Sequence, residues 1–269
     1  MHSTRPVHPT AHATAPPPAG DKRELRPLVV FAAIALPVGW ALLSVPVLLD
    51  LPQEPFVLGT LVLGLILPAL VLTARDSGGV GVRALLRDAV RLPHPLGWGV
   101  AAALALPTLV WAAAAALGGA QPLTTDLLLG FVVQLVSGAI IVNIWEEMAW
   151  TGFVQRRAAA RWGVSLGALV TAVLFAGIHL PLAFDGAGDA GDVAVGVTAL
   201  LATGIGLRLL IAGVDRWSGR SLLTVGVLHA SFNAAADLVD QEYDWVRYGV
   251  TVVLGVVVLG VLRAGRSIR

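Results

Sequence analysis

Residues 131–153 read FVVQLVSGAIIVNIWEEMAWTGF, and this stretch decides how the chain must fold. An apolar run long enough to enter a bilayer leads straight into two adjacent carboxylates, Glu146 and Glu147, before any turn signal. A charged group at the centre of a membrane helix costs about 2.5–3.5 kcal/mol even on the mildest scale. Two side by side therefore need partners or a purpose.

The surroundings share the same character. Of 269 residues, 57% are hydrophobic and 13% charged, with mean hydropathy +0.81. Soluble domains carry roughly 25% charged residues, so half that share implies a membrane protein. With no cysteine, disulfides, thiolate zinc sites and a cysteine nucleophile are excluded. The net charge of +1 and the lack of a basic cluster with interleaved aromatics give no sign of nucleic acid. Lys22 is the single lysine, and a chain rich in Arg, Ala, Val, Leu and Gly fits a GC-rich bacterial source.

About 20 apolar residues cross a bilayer core, and eight runs qualify: 28–49, 55–74, 96–117, 125–153, 163–184, 192–214, 220–238 and 246–264. The fourth exceeds one straight crossing and should tilt or extend into the cytoplasm. Residues 1–24, rich in Pro, Thr, Ala and His, can bury nothing and read as a disordered tail. The chain divides into that tail, N-terminal membrane helices (25–120), a core (121–240) and a final helix with a basic tail (241–269). Between spans two and three, Leu85, Leu86 and Val90 against Arg83, Arg87 and Arg91 suggest a short amphipathic helix lying on the membrane. The expected fold class is all-α, a polytopic membrane protein of about eight transmembrane helices with a central bundle formed by spans four to seven.

Basic residues fall in the N-terminal tail, after spans two, four and six, and at the C-terminus. The other loops carry Asp50, Glu54, Asp126, Asp185, Asp189, Asp192, Asp237, Asp240, Glu242 and Asp244, with Arg247 the one exception among 18 basic residues. Both termini are thus expected in the cytoplasm, with the chain in the cell membrane. Few ionisable groups then remain in hydrocarbon: Glu146, Glu147, His179, Arg208 and His229. Arg208 is placed to snorkel toward the cytoplasmic end of span six. Phe175 and His179 share a helix face, as do His229 and Asn233. Glu146 and Glu147 stand about 100° apart around their helix, so one can face a cavity while the other braces the bundle. Counted from the nearest arginines, His179 lies deeper than Glu147, and a turn starting inside the membrane near Trp162 would bring them level.

EEMAWTGF, FAGIH and HASFN, in that order on three spans, resemble the CPBP family of intramembrane proteases, with its pattern E-E-x-x-x-R, F-x-x-x-H and H-x-x-x-N. That family includes the CAAX prenyl endopeptidases and bacterial proteins related to bacteriocin self-immunity. The resemblance covers about residues 139–236. It implies that Glu146 is the general base activating water, with Glu147 its orienting partner. It further implies that His179 holds the water and that His229 and Asn233 stabilise the oxyanion. The activity implied is an intramembrane endopeptidase acting on a peptide or protein substrate at the membrane, with the lipid bilayer as the other partner. Where the family has Arg, this chain has Thr151; either Glu147 is protonated, or Arg156, Arg157 or Arg208 reaches it. The family is often described as metalloproteases, and two His, a Glu and an Asn leave the cofactor open, a divalent metal such as zinc being one choice. A proton-coupled transporter and a catalytically silent scaffold of the same family are the competing readings.

Overall fold

A computed structural model describes residues 22–267. Eight apolar helical segments follow one another, and no strand occurs among the described residues. They are α1 (Lys22–Leu49), α2 (Glu54–Ala89), α3 (Gly97–Leu117), α4 (Thr125–Trp162), α5 (Val164–Ile178), α6 (Ala190–Trp217), α7 (Leu222–Leu238) and α8 (Trp245–Ser267). The protein is an all-α, polytopic membrane protein. Six of these helices are long and apolar enough to cross a bilayer by themselves, while α5 and α7 are shorter. Of the expected tail, residues 1–21 lie outside the described residues, and 22–24 form the first turn of α1.

Several boundaries differ from expectation for identifiable reasons. The fifth run, expected over 163–184, holds only 15 helical residues, about 22 Å of rise. Pro181 follows closely, and residues 180–184 tighten into a 3₁₀ turn. The fourth run continues past 153 as one helix of 38 residues to Trp162, because nothing in QRRAAARW breaks it. It stops at Gly163, whose φ of 83° and ψ of 161° suit glycine. The amphipathic segment is fused to span two, with a break at Gly78 (φ 62°). Its Leu86 and Val90 are exposed, but Leu85 turns inward onto Met148 and Leu222.

Two apolar cores flank the centre. One joins α1, α2, α4 and α5 through Phe31, Leu61, Leu65, Trp150, Phe153 and Ile178. The second joins α3, α6, α7 and α8 through Leu106, Leu207, Ile211, Val225, Leu228 and Val258. Phe175 packs against both, and the polar residues of α4, α6 and α7 meet at this junction.

Candidate active site

Depth is set by the α4–α5 hairpin. Glu147 precedes Gly163 by sixteen residues and His179 follows it by sixteen, so antiparallel packing brings them level. The apparent mismatch in depth came from counting Glu147 from Arg156, which is not the helix end. Lateral approach is set by Gly226 on α7. A Cβ there would sit 2.7 Å from the Ile144 Cα, so glycine lets the two backbones touch. His229, three residues along the same face, thereby reaches the carboxylate pair. Around that pair α4 is not a regular α-helix: wider i→i+5 turns occupy Ala139–Asn143 and Met148–Gln155, on either side of Ile144–Glu147. Such turns are rare and concentrate at functional sites.

The two glutamates differ sharply in surroundings. Glu147 is fully buried and accepts from four donors. Arg208 Nη2 and His229 Nδ1 reach Oε1 at 2.5 and 2.8 Å. Arg208 Nη1 reaches Oε2 at 2.9 Å, and the Thr151 hydroxyl donates to the same oxygen. All the lone-pair positions of a carboxylate are then in use. Glu146 receives one hydrogen bond, from Asn143 Nδ2 at 3.2 Å, and its Oε2 stands 3.7 Å from His229 Nδ1. Its carboxylate lines a cavity of about 690 Å³ together with Asn143, Phe175, His179, His229 and Asn233.

Both imidazoles are oriented by their partners. His179 Nδ1 lies 2.7 Å from the Phe175 carbonyl, which can only accept, so Nδ1 carries a proton and Nε2 is left for the cavity. His229 Nδ1 donates to Glu147 and likewise offers only Nε2. The Phe175 ring lies against both, with centroids 4.7 Å from His179 and 5.6 Å from His229. Asn233 is tied to Asn143 at 3.5 Å, which makes a short amide chain ending at Glu146.

All five residues expected from sequence, Glu146, Glu147, His179, His229 and Asn233, are therefore brought together, four on the cavity and Glu147 beneath it. One expectation is corrected. Arg208 does not snorkel; it is fully buried, because the bidentate pair with Glu147 holds it, and its guanidinium lies 4.3 Å from the Phe175 ring. It supplies across the bundle the positive charge that Thr151 lacks. Arg156, the alternative, is held by Asp88 and Asp215, and Arg157 lies over Phe153 beside Asp76.

Sequence reasoning missed Asn143, although it stands three residues before Glu146 in the quoted stretch and so on the same face. Among the described residues, no three His, Asp or Glu side chains are grouped as a metal ligand set. Glu147 has no free lone pair, and the nitrogen of His229 nearest Glu146 is the one already donating. The two His, one Glu and one Asn considered from sequence share the cavity without forming such a ligand group.

Residues 128–235 match the family model described as type II CAAX prenyl endopeptidase Rce1-like. No curated protein matches the chain. The matched segment spans both carboxylates, both imidazoles, Arg208 and Asn233, so the part of the chain that builds the site is similar to this Rce1-like family.

Proposed function

We propose that the cavity is the active site of an intramembrane endopeptidase in which Glu146 activates water. The observation that carries this reading is the asymmetry of the pair. Glu147 has every acceptor position filled, whereas Glu146 keeps free lone pairs facing a cavity that two Nε2 atoms also face. A base must reach the proton it removes, and of the two only Glu146 can.

In this mechanism the water sits between Glu146 and His179 Nε2. Glu146 takes its proton as the oxygen attacks a peptide carbonyl, then passes that proton to the departing amine. Asn233 Nδ2, tethered loosely to Asn143, faces the developing oxyanion. His229, whose Nδ1 is fixed by Glu147, presents its Nε2 edge to the same cavity. Preorganised donors of this kind contribute most in a dry site. Glu147, Arg208 and Thr151 position His229 and do not touch substrate. Both termini lie in the cytoplasm, and the chain is a multi-pass protein of the cell membrane.

The silent-scaffold reading rested on Thr151, and Arg208 removes that motive. The test compares membranes holding wild-type chain with those holding Glu146→Gln or His179→Ala, mapping new peptide N-termini by mass spectrometry. The expected result is loss of the same cleavage products in both variants, with insertion unchanged. Products that persist at full yield in both would refute the assignment.

A further inference from the structure

The cavity follows α4 only as far as Glu146 and α6 only as far as Thr203. Farther along the same two helices its floor is closed by the Glu147–Arg208 pair and by Met148, Trp150 and Phe153, all fully buried. Beyond that floor lies a separate recess of about 350 Å³. It is bounded by Arg156 and Ala159 on α4, Val164 on α5, Ala212 and Arg216 on α6, and Arg220 in the loop to α7. Trp162 ends α4 and Trp217 ends α6 beside it. Tryptophans concentrate where a membrane meets water, so the recess sits at the level of lipid headgroups.

Its three arginines stand in different circumstances. Arg156 is fixed: two of its nitrogens bind Asp215, the third binds Asp88, and Nη2 also donates to the Arg220 carbonyl. Asp215, the one carboxylate bounding the recess, is thereby taken. Arg216 and Arg220 make no ion pair and no side-chain hydrogen bond among the described residues. Arg220 is also held at φ 63°, after Gly219 at φ 73°. That left-handed turn suits glycine, and an arginine there goes against the preference of its own backbone. The turn aims the Arg220 carbonyl at Arg156 and leaves its charged side chain on the wall of the recess. A residue held against its conformational preference is a pointer to function.

We infer that this recess binds a phosphate group, carried by an anionic lipid or free in solution. The planar fork of a guanidinium matches an oxyanion, and a phosphate has oxygens enough for several forks at once. Basic recesses between membrane helices take lipid headgroups in this way. Ala159, Val164 and Ala212 supply an apolar side for whatever the phosphate is attached to. A bound phosphate compensates Arg216 and Arg220 and braces the ends of α4 and α6 beneath the floor of the cavity. The inference does not depend on the proposed protease chemistry.

The test follows thermal unfolding of the full-length protein, purified in a neutral detergent and stripped of native lipid. Four additions are compared: phosphatidylglycerol, phosphatidylcholine, inorganic phosphate, and sodium chloride at matched ionic strength. Saturating phosphatidylglycerol should raise the melting temperature by roughly 5 °C, while phosphatidylcholine and sodium chloride leave it in place. An equal rise with inorganic phosphate supports the site with the free anion as sufficient ligand; a rise with phosphatidylglycerol alone supports it with lipid as the source. Arg216→Gln and Arg220→Gly should each lose most of the response. Because Arg220→Gly also eases the turn, its melting temperature without additions should match or exceed that of the wild type, which separates a lost ligand from a damaged fold. The site is overturned if neither phosphate source stabilises the wild type, if sodium chloride does as well as they do, or if both variants respond like the wild type. No cleavage is measured, so any of these results leaves the protease reading where it stands.

Discussion

Glu146 and Glu147 share one side-chain formula and opposite circumstances. Glu147 has surrendered its lone pairs to Arg208, His229 and Thr151, so it can anchor but cannot accept a further proton without releasing a partner. Removing one member of a buried ion pair leaves the other uncompensated, at a cost of about 3–5 kcal/mol. Arg208→Met should lower stability by that amount in thermal melts in detergent. Combined with Glu147→Met it should recover much of the loss, since two apolar groups of similar volume pack without an orphaned charge. Activity should not return in the double variant, because His229 loses the acceptor that orients it. Asn143→Leu makes a milder prediction: Glu146 keeps its place on the helix but loses its one hydrogen bond. Turnover should fall by about tenfold with little change in melting temperature, the equivalent of roughly 1.4 kcal/mol in the barrier.

At the scale of the helix, backbone contact between α4 and α7 decides whether the site closes. Gly226→Val would drive a branched side chain into Ile144, and overpacking of this kind costs about 1–3 kcal/mol. The expected signature is loss of cleavage larger than the loss of stability, since His229 moves off Glu147 before the bundle opens. Much of this scale was legible in sequence. The eight apolar runs, the overlong fourth one and the face shared by His229 and Asn233 follow from length and periodicity. The shortness of α5 was not, because its boundary depends on a 3₁₀ turn after His179 that hydropathy does not register. Nor was the partnership of Arg208 with Glu147, which joins residues 61 positions apart. Sequence could say that a charge was needed and name three arginines. Only packing could choose among them.

For the molecule as a whole, the face opposite the cavity is held by a polar clamp. Arg156 bonds Asp88, Asp215 and the Arg220 carbonyl, tying the segment after Gly78 to α4 and to the α6–α7 loop. These side chains are largely buried, so salt should screen them less than exposed pairs. Arg156→Ala should therefore destabilise the protein nearly equally at low and high ionic strength, with hydrogen exchange rising first in residues 79–91. A clamp on this side also fits the closed floor under the cavity, where Leu85 meets Met148 and Leu222.

The equal arms on either side of Gly163 make the hairpin a gauge whose two marks must coincide. One alanine inserted into either arm, between Glu147 and Gly163 or between Gly163 and His179, would shift one mark by about 1.5 Å and swing it about 100° around its axis. The total hydrophobicity and every loop charge would stay the same. Such a chain should still enter the membrane and keep its topology while the glutamates and His179 no longer face one another, so insertion and the proposed hydrolysis would part company through a change of phase alone.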